Sequence, residues 1–207
     1  MPASEAAKLL RPGLLRGVSL LLAGAAADRH GPGPTGAAVD AAFAELGARV
    51  CACEVIAAGE VAQEAEIDRA VSEALAQGAR IELLIVDGGG IFAAAGAGRA
   101  GLRACLEAAW SATRAVAGSA FIPGGRGGRI AYLAPAPGAG SHASAARAGL
   151  ENLARTLSIE WARHGVTAVA VGAGDDTSPG ELAALSAYLA STAGAYFSGC
   201  LLDLAGP

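Results

Sequence analysis

Lysine and asparagine each occur once in this 207-residue chain, as Lys8 and Asn152. Chemistry that needs a lysine ammonium or an asparagine amide therefore has one candidate for each, and Lys8 lies ahead of the first apolar run. Aromatic residues make up 4% of the chain and charged residues 16%, with a formal net charge of −4. No basic stripe forms, which excludes nucleic acid as a partner. The uncharged stretch of the N-terminal part, residues 17–27, falls short of the roughly 20 residues a membrane-spanning helix needs. Arg16 interrupts the N-terminal apolar residues before they could form a signal segment. A soluble, cytoplasmic protein with no membrane partner is expected. The four cysteines, Cys51, Cys53, Cys105 and Cys200, show no C-x-x-C spacing and no histidine at metal-ligand distance. They read as buried, inert thiols, and no metal is expected.

What the chain does have is apolar mass in small units: 53% hydrophobic residues, much of it alanine, with 30 glycines. Such a core packs backbone closely. Low charge beside abundant alanine and leucine points to a surface covered by another subunit. Short apolar runs (residues 18–23, 50–53, 83–86, 129–133, 166–171 and 200–204) alternate with amphipathic segments (residues 35–46, 64–77, 102–117, 143–163 and 180–191). Strands this continuously apolar are covered on both faces, as in parallel sheets. The pattern predicts an α/β fold, a doubly wound parallel sheet flanked by helices. No linker or repeat divides it, so residues 1–207 form a single domain with residues 1–16 as an N-terminal extension.

Particular motifs carry a resemblance. Gly128-Arg129-Ile130 opens a strand, and Ala146-Arg147-Ala148-Gly149-Leu150-Glu151-Asn152-Leu153 continues through Arg155-Thr156-Leu157-Ser158-Ile159-Glu160-Trp161-Ala162. The end runs from Tyr188-Leu189-Ala190-Ser191 to Ser198-Gly199-Cys200-Leu201-Leu202-Asp203-Leu204-Ala205-Gly206. Together with Gly47-Ala48-Arg49-Val50 and the turn Asp87-Gly88-Gly89-Gly90, these resemble the short-chain dehydrogenase/reductase (SDR) family over nearly the whole chain. The resemblance implies a Rossmann-like sheet of about seven strands, an NAD(P) site and a catalytic tetrad of tyrosine, lysine, serine and asparagine.

The tetrad positions hold other residues. The tyrosine place falls on Ala143, the lysine place on Arg147, the serine place on Ala134 or Pro135, and the asparagine place near Ala109. A tyrosine titrating near pH ~10 needs an adjacent cation to work at neutral pH. None of Tyr132, Tyr188 and Tyr196 has a lysine four residues on, so no shift of register rebuilds the pair. Ser141, His142 and Ser144 stand at the start of the central helix as candidate surrogates or as caps and rim residues. Arg147 keeps a positive charge, but its fork suits gripping an anion better than relaying a proton.

The cofactor motif is altered as well. A dinucleotide site needs glycines after the first strand, so that backbone approaches the pyrophosphate at a helix N-terminus. Here Ala23-Gly24 begins the motif, its second glycine becomes Pro34 and its third is Gly36. The loop between is longer than the pattern and holds Asp28, Arg29 and His30. Glu54 stands where an acidic residue would hold the adenosine ribose, and Gly88 in the turn that replaces Asn-Asn-Ala-Gly. Gly24, Gly36, Glu54 and Gly88 thus outline a vestigial pocket. The expectation is no bound cofactor, with NAD(P) as the alternative.

After the sixth apolar run the family's long substrate lid is missing: Asp175-Asp176-Thr177-Ser178-Pro179-Gly180 leads straight to Glu181. The segments through which such proteins assemble (residues 102–117, 143–163 and 181–204) keep the family pattern. The leading expectation is a non-catalytic subunit, pairing with an active SDR as a hetero-oligomer or with itself through its fourth and fifth long helices. The alternatives are an NAD(P)-dependent oxidoreductase with atypical acid/base residues, and a binding or regulatory domain using Arg147 to hold an anionic ligand such as an acyl-CoA.

Overall fold

The four central apolar runs become parallel strands because their residues alternate between two buried layers, while the two outer ones stay partly exposed. The computed structural model describes residues 4–25, 33–55 and 60–205. Its strands are β1 (Ser19–Ala25), β2 (Arg49–Val55), β3 (Ile81–Asp87), β4 (Gly128–Ala134), β5 (Val166–Gly172) and β6 (Cys200–Asp203). They form one sheet in the order β2-β1-β3-β4-β5-β6, and all pairs are parallel. The expectation of about seven strands is corrected to six among the described residues.

The helices are α1 (Glu5–Leu9), α2 (Pro34–Glu45), α3 (Glu60–Ala76), α4 (Gly88–Ala94), α5 (Arg99–Val116), α6 (Ala143–Glu160) and α7 (Pro179–Ala190). On one face of the sheet Leu21, Leu84, Ile130 and Ala168 meet Ile67 of α3, Ala108 and Ala112 of α5, and Leu150 and Leu157 of α6. On the other, Leu20, Leu22, Ile85 and Val171 meet Val39 and Phe43 of α2 and Leu182 and Ala187 of α7. Burying a side chain such as Phe43 contributes about 1.5–3 kcal/mol. Small residues set the spacing: a Cβ on Gly149 of α6 would lie 2.7 Å from Leu106 Cδ2 of α5.

Several local readings change. The Asp87–Gly90 stretch, read as a bend, opens α4, with Asp87 as its N-cap accepting from the Gly90 N–H at 2.9 Å. Helix α6 ends at Glu160, no longer than α5; a 3-10 turn, Ala162–His164, and Gly165 at φ 70° finish the segment read as helical to residue 163. α5 runs on into a π-helical turn, Ala117–Phe121, which hydrophobic periodicity does not signal. In the N-terminal extension, α1 and Leu15 are part of the fold, with Ala6 and Leu15 fully buried beside α2 and α7. Cys53 and Cys105 are buried as expected, whereas Cys51 and Cys200 are only half-buried. Among the described residues no helix is long and apolar enough to cross a membrane.

The chain crosses from one side of β1 to the other between β2 and β3. β1 and β3 therefore flank the topological switch point, where open parallel sheets bind ligands beyond the strands' carboxyl ends. The site must be sought there.

Candidate functional site: the carboxyl ends of β1, β3, β4 and β5

Three of the positions that the resemblance singles out are alanines in or beside the strands of this sheet. Ala134 ends β4, Ala143 opens α6 and Ala109 lies midway along α5. All three are buried, at 2%, 0% and 0% exposure. All three belong to the same apolar cluster as Cys105, Leu150 and Tyr132. What would be the polar floor of a substrate pocket is continuous with the hydrophobic core. Tyr132 is no substitute base: its hydroxyl is hydrogen-bonded to Thr113 Oγ1 at 2.6 Å, and burial pushes its pKa well above the phenol range.

Arg147, at the lysine position, is 9% exposed and turned into the protein. Its Nη1 donates to the Ala173 carbonyl at 2.9 Å, and its Nη2 to the Asp203 carboxylate at the end of β6. Gly172 makes room, since a Cβ there would run into the guanidinium. The fork is committed to the protein's own backbone and carboxylate rather than presented to a ligand. Ser141 and His142 sit outside this arrangement, with Ser141 Oγ and His142 Nδ1 2.9 Å apart at the surface. His142 is the backbone N-cap of α6 but makes no side-chain cap bond.

The vestigial cofactor positions are only partly brought together. Gly24, near the end of β1, is paired in register with Glu54 on β2, and Glu54 is exposed. Gly36 lies in the first turn of α2, two residues after Pro34 at the helix start. Gly88 is wedged: a Cβ there would be 2.9 Å from the Leu133 carbonyl and from Leu150 Cδ1, and 3.0 Å from Cys105 Sγ. The loop carrying Asp28, Arg29 and His30 lies outside the described residues.

The residue that organises this end was missed in the sequence. Asp87 is 2% exposed, and a Cβ on Gly24 would be 3.6 Å from its Cβ. Its carboxyl group accepts the Gly90 N–H at 2.9 Å. Burial pushes its pKa up, while nearby backbone N–H groups of Gly90 and Gly36 pull it down. The signal was present: Gly88 admits neighbouring α5, α6 and β4, and Gly90 leaves space for the carboxylate, since a Cβ there would lie 2.9 Å from Asp87 Cγ. Three glycines in a row after an aspartate describe such a nest.

The connection from β5 to α7 is a single tight turn. Thr177 Oγ1 accepts from the Gly174 N–H at 2.8 Å. Ser178 and Glu181 form a capping box that starts α7. Asp175 Oδ1 accepts from the Gly138 N–H at 2.7 Å, drawing the turn onto the segment before α6. No lid helix stands among the described residues between β5 and α7. A shallow acidic depression of about 420 Å³ remains, lined by Asp175, Asp176 and Glu181. A cleft of about 830 Å³ lies at the opposite end of the sheet, along the strand starts at Ile81, Gly128 and Thr167. Among the described residues no group of three or more His, Cys, Asp or Glu is placed to hold a metal ion.

No protein-family model matches the sequence, and no curated protein matches it. Solved structures do. The chain superposes on a short-chain dehydrogenase from Mycobacterium smegmatis with a TM-score of 0.73 at 22% identity, covering 94% of each chain. A hydroxysteroid dehydrogenase from Escherichia coli gives 0.68 at 18% identity, over 94% of this chain and 98% of that one. A variant short-chain dehydrogenase/reductase from Serratia marcescens gives 0.70 at 18% identity, over 93% and 97%. Its β-sheet order, layers and helix placement make this chain a single-domain α/β protein with the short-chain dehydrogenase/reductase fold.

Proposed function

We propose that this chain is a non-catalytic subunit on the SDR fold, which pairs with an active SDR. One observation carries the reading: Ala109, Ala134 and Ala143 are absorbed into the core, and Arg147, the remaining polar side chain of the set, is bound to Asp203 and Ala173. A carbonyl oxygen brought to this point would meet methyl groups. General acid–base catalysis needs a titrating group within hydrogen-bond reach of the reacting atom.

Pairing is supported by what the surface displays. Of the five tyrosines and tryptophans, only Tyr132 is fully buried. Trp110 on α5 is 46% exposed and Ile159 on α6 is 78% exposed. Tyr188 on α7 is 36% exposed, and Tyr196 in the turn after it is 93% exposed. Aromatic side chains on a surface are the composition of protein interfaces. Co-expression with the active SDR encoded nearest to this chain, followed by size-exclusion chromatography, tests the pairing. Co-elution at a defined stoichiometry is expected. A homo-oligomer that excludes the relative contradicts it.

A second reading, an oxidoreductase with atypical groups, draws on the exposed Ser141–His142 contact at the mouth of α6. It requires the pair to replace the tyrosine. Turnover lost in His142→Ala would favour it. The third reading, an anion site built on Arg147, would require the guanidinium to leave Asp203 and turn outward.

A further inference from the structure

We infer that the free edge of β2 is a self-pairing surface: two copies of this chain join antiparallel through Arg49–Val55, with Ala52 facing Ala52 on the two-fold axis. The inference concerns the sheet edge opposite β6. It does not depend on the pairing with an active relative proposed above.

In the common doubly wound order a further strand lies outside the second one. Here β2 is outermost, and among the described residues β1 is its one strand partner. The backbone fixes which groups are left over. Arg49 donates its N–H to the Val18 carbonyl at 2.9 Å, and successive residues of a strand turn their backbone groups to opposite sides. Arg49, Cys51, Cys53 and Val55 therefore bond β1, while Val50, Ala52 and Glu54 turn their N–H and C=O groups outward. Such an edge is a template for another strand unless something blunts it. The usual devices are missing from β2. It holds no proline and no lysine, and its seven-residue register with β1 runs without a bulge. Arg49 is drawn away from the edge, its Nη1 donating to the Gln77 carbonyl at 3.3 Å and its Nη2 to Gln77 Oε1 at 3.4 Å. A groove of about 470 Å³ follows β2 from Arg49 to Glu54, with Ala70 and Ala74 of α3 along it. The opposite edge strand, by contrast, is four residues long, and Arg147 holds its last residue.

The occupant that fits is a second copy. The outward row Val50, Ala52, Glu54 is symmetric about Ala52. An antiparallel copy sets Ala52 against Ala52 and Val50 against Glu54, each a pair that exchanges both hydrogen bonds. Like charges are never opposed, because Glu54 meets Val50 and Arg49 meets Val55. In a parallel pairing of two copies the glutamates would lie side by side. Ala52 is small and exposed, which lets the two backbones close at the axis. That axis stands perpendicular to the sheet, so α2 and α3 keep to opposite faces of the joined sheet. The contact is isologous and stops at two copies.

The test is the mass of the purified chain, with no relative present, by light scattering after size-exclusion chromatography. Ala52→Pro and Ala52→Lys are measured beside it. Proline removes the outward N–H of position 52 and leaves the ladder to β1 intact. Lysine keeps the backbone and sets like charges face to face at the axis. The wild type is expected to be a dimer at concentrations on the order of tens of micromolar. Both variants are expected to be folded, by thermal melting, with self-association weakened on the order of tenfold or more. A monomeric wild type would overturn the inference. So would a dimer that persists in the folded variants, since it would assemble through another face. A measurement on the unmodified chain guards against variants that do not fold. The amides of Val50, Ala52 and Glu54 should exchange more slowly with solvent deuterium as protein concentration rises, and rates independent of concentration would equally overturn the inference.

Discussion

Arg147 and Asp203 are joined across the carboxyl ends of β5 and β6, with the guanidinium passing over Gly172 to reach the last residue of the outermost strand. The bond ties the central helix α6 to β6, and its second arm, to the Ala173 carbonyl, fixes the start of the β5–α7 turn. The Arg147 hydrogen bond also holds the Asp203 carboxyl below the ordinary carboxylate range. A charged side chain of the central helix thus serves as a structural tie.

Arg147→Ala is expected to destabilise the fold by about 1–3 kcal/mol, through the lost tie and the unsatisfied Ala173 carbonyl. The electrostatic part is modest because the Asp203 side chain is 47% exposed. Its pH dependence has a fixed sign. A carboxyl depressed in the folded state adds stability above its ordinary value of 3.8 and loses it as pH falls through the folded value. The advantage of the wild type over Asp203→Asn in chemical denaturation should therefore shrink on acidification. An advantage that grows in acid would contradict the tie.

Reinstating the family's residues should not restore chemistry. Ala143 has no exposed surface, and a tyrosine forced into that space overpacks the junction of α6 with the sheet. Ala143→Tyr combined with Arg147→Lys is predicted to lower stability by about 1–3 kcal/mol, and more where the Asp203 tie weakens. No ketone reduction should appear. Thermal melting and a reductase assay check both parts.

Asp87 sets an opposite pH trend. Burial raises its pKa above 3.8. Below that value both folded and unfolded chains hold the proton, and the group costs nothing. As pH rises through 3.8 toward the raised value, the unfolded chain ionises first and the folded state loses ground. Cys105 is the titrating neighbour, its own pKa pushed up to about 12 first by burial and then by Asp87, so it stays neutral across this window. Melting temperatures of wild type and Asp87→Asn, measured from acid to neutral pH, should diverge in favour of the variant as pH rises. Parallel curves would contradict it.

Much of the scaffold is legible in the sequence because it rests on local pattern. Runs such as Leu20–Leu22 and Ile85–Val86 can only be doubly covered strands, and the stripe Ile67, Val71, Ala74 fixes the inward face of α3. That an alanine stands at position 143 is equally plain from residue identity. What was not legible depends on partners distant in the chain. Nothing near Arg147 announces Asp203, and nothing near Asp87 announces Gly24. The Asp87–Gly90 stretch was read as a bend because glycines argue against a helix. The Asp87 cap and close packing against Leu133 and Leu150 outweigh that propensity. The strand count erred because it was carried over from the family's pattern rather than from runs in this chain.

On the proposed reading this chain, alone, moves no hydride. Its most direct test follows nicotinamide absorbance while the purified protein is mixed with NADH or NADPH and a panel of ketones and aldehydes. The rate should not differ from that of buffer. Turnover above buffer that vanishes in His142→Ala or Arg147→Met would contradict the account.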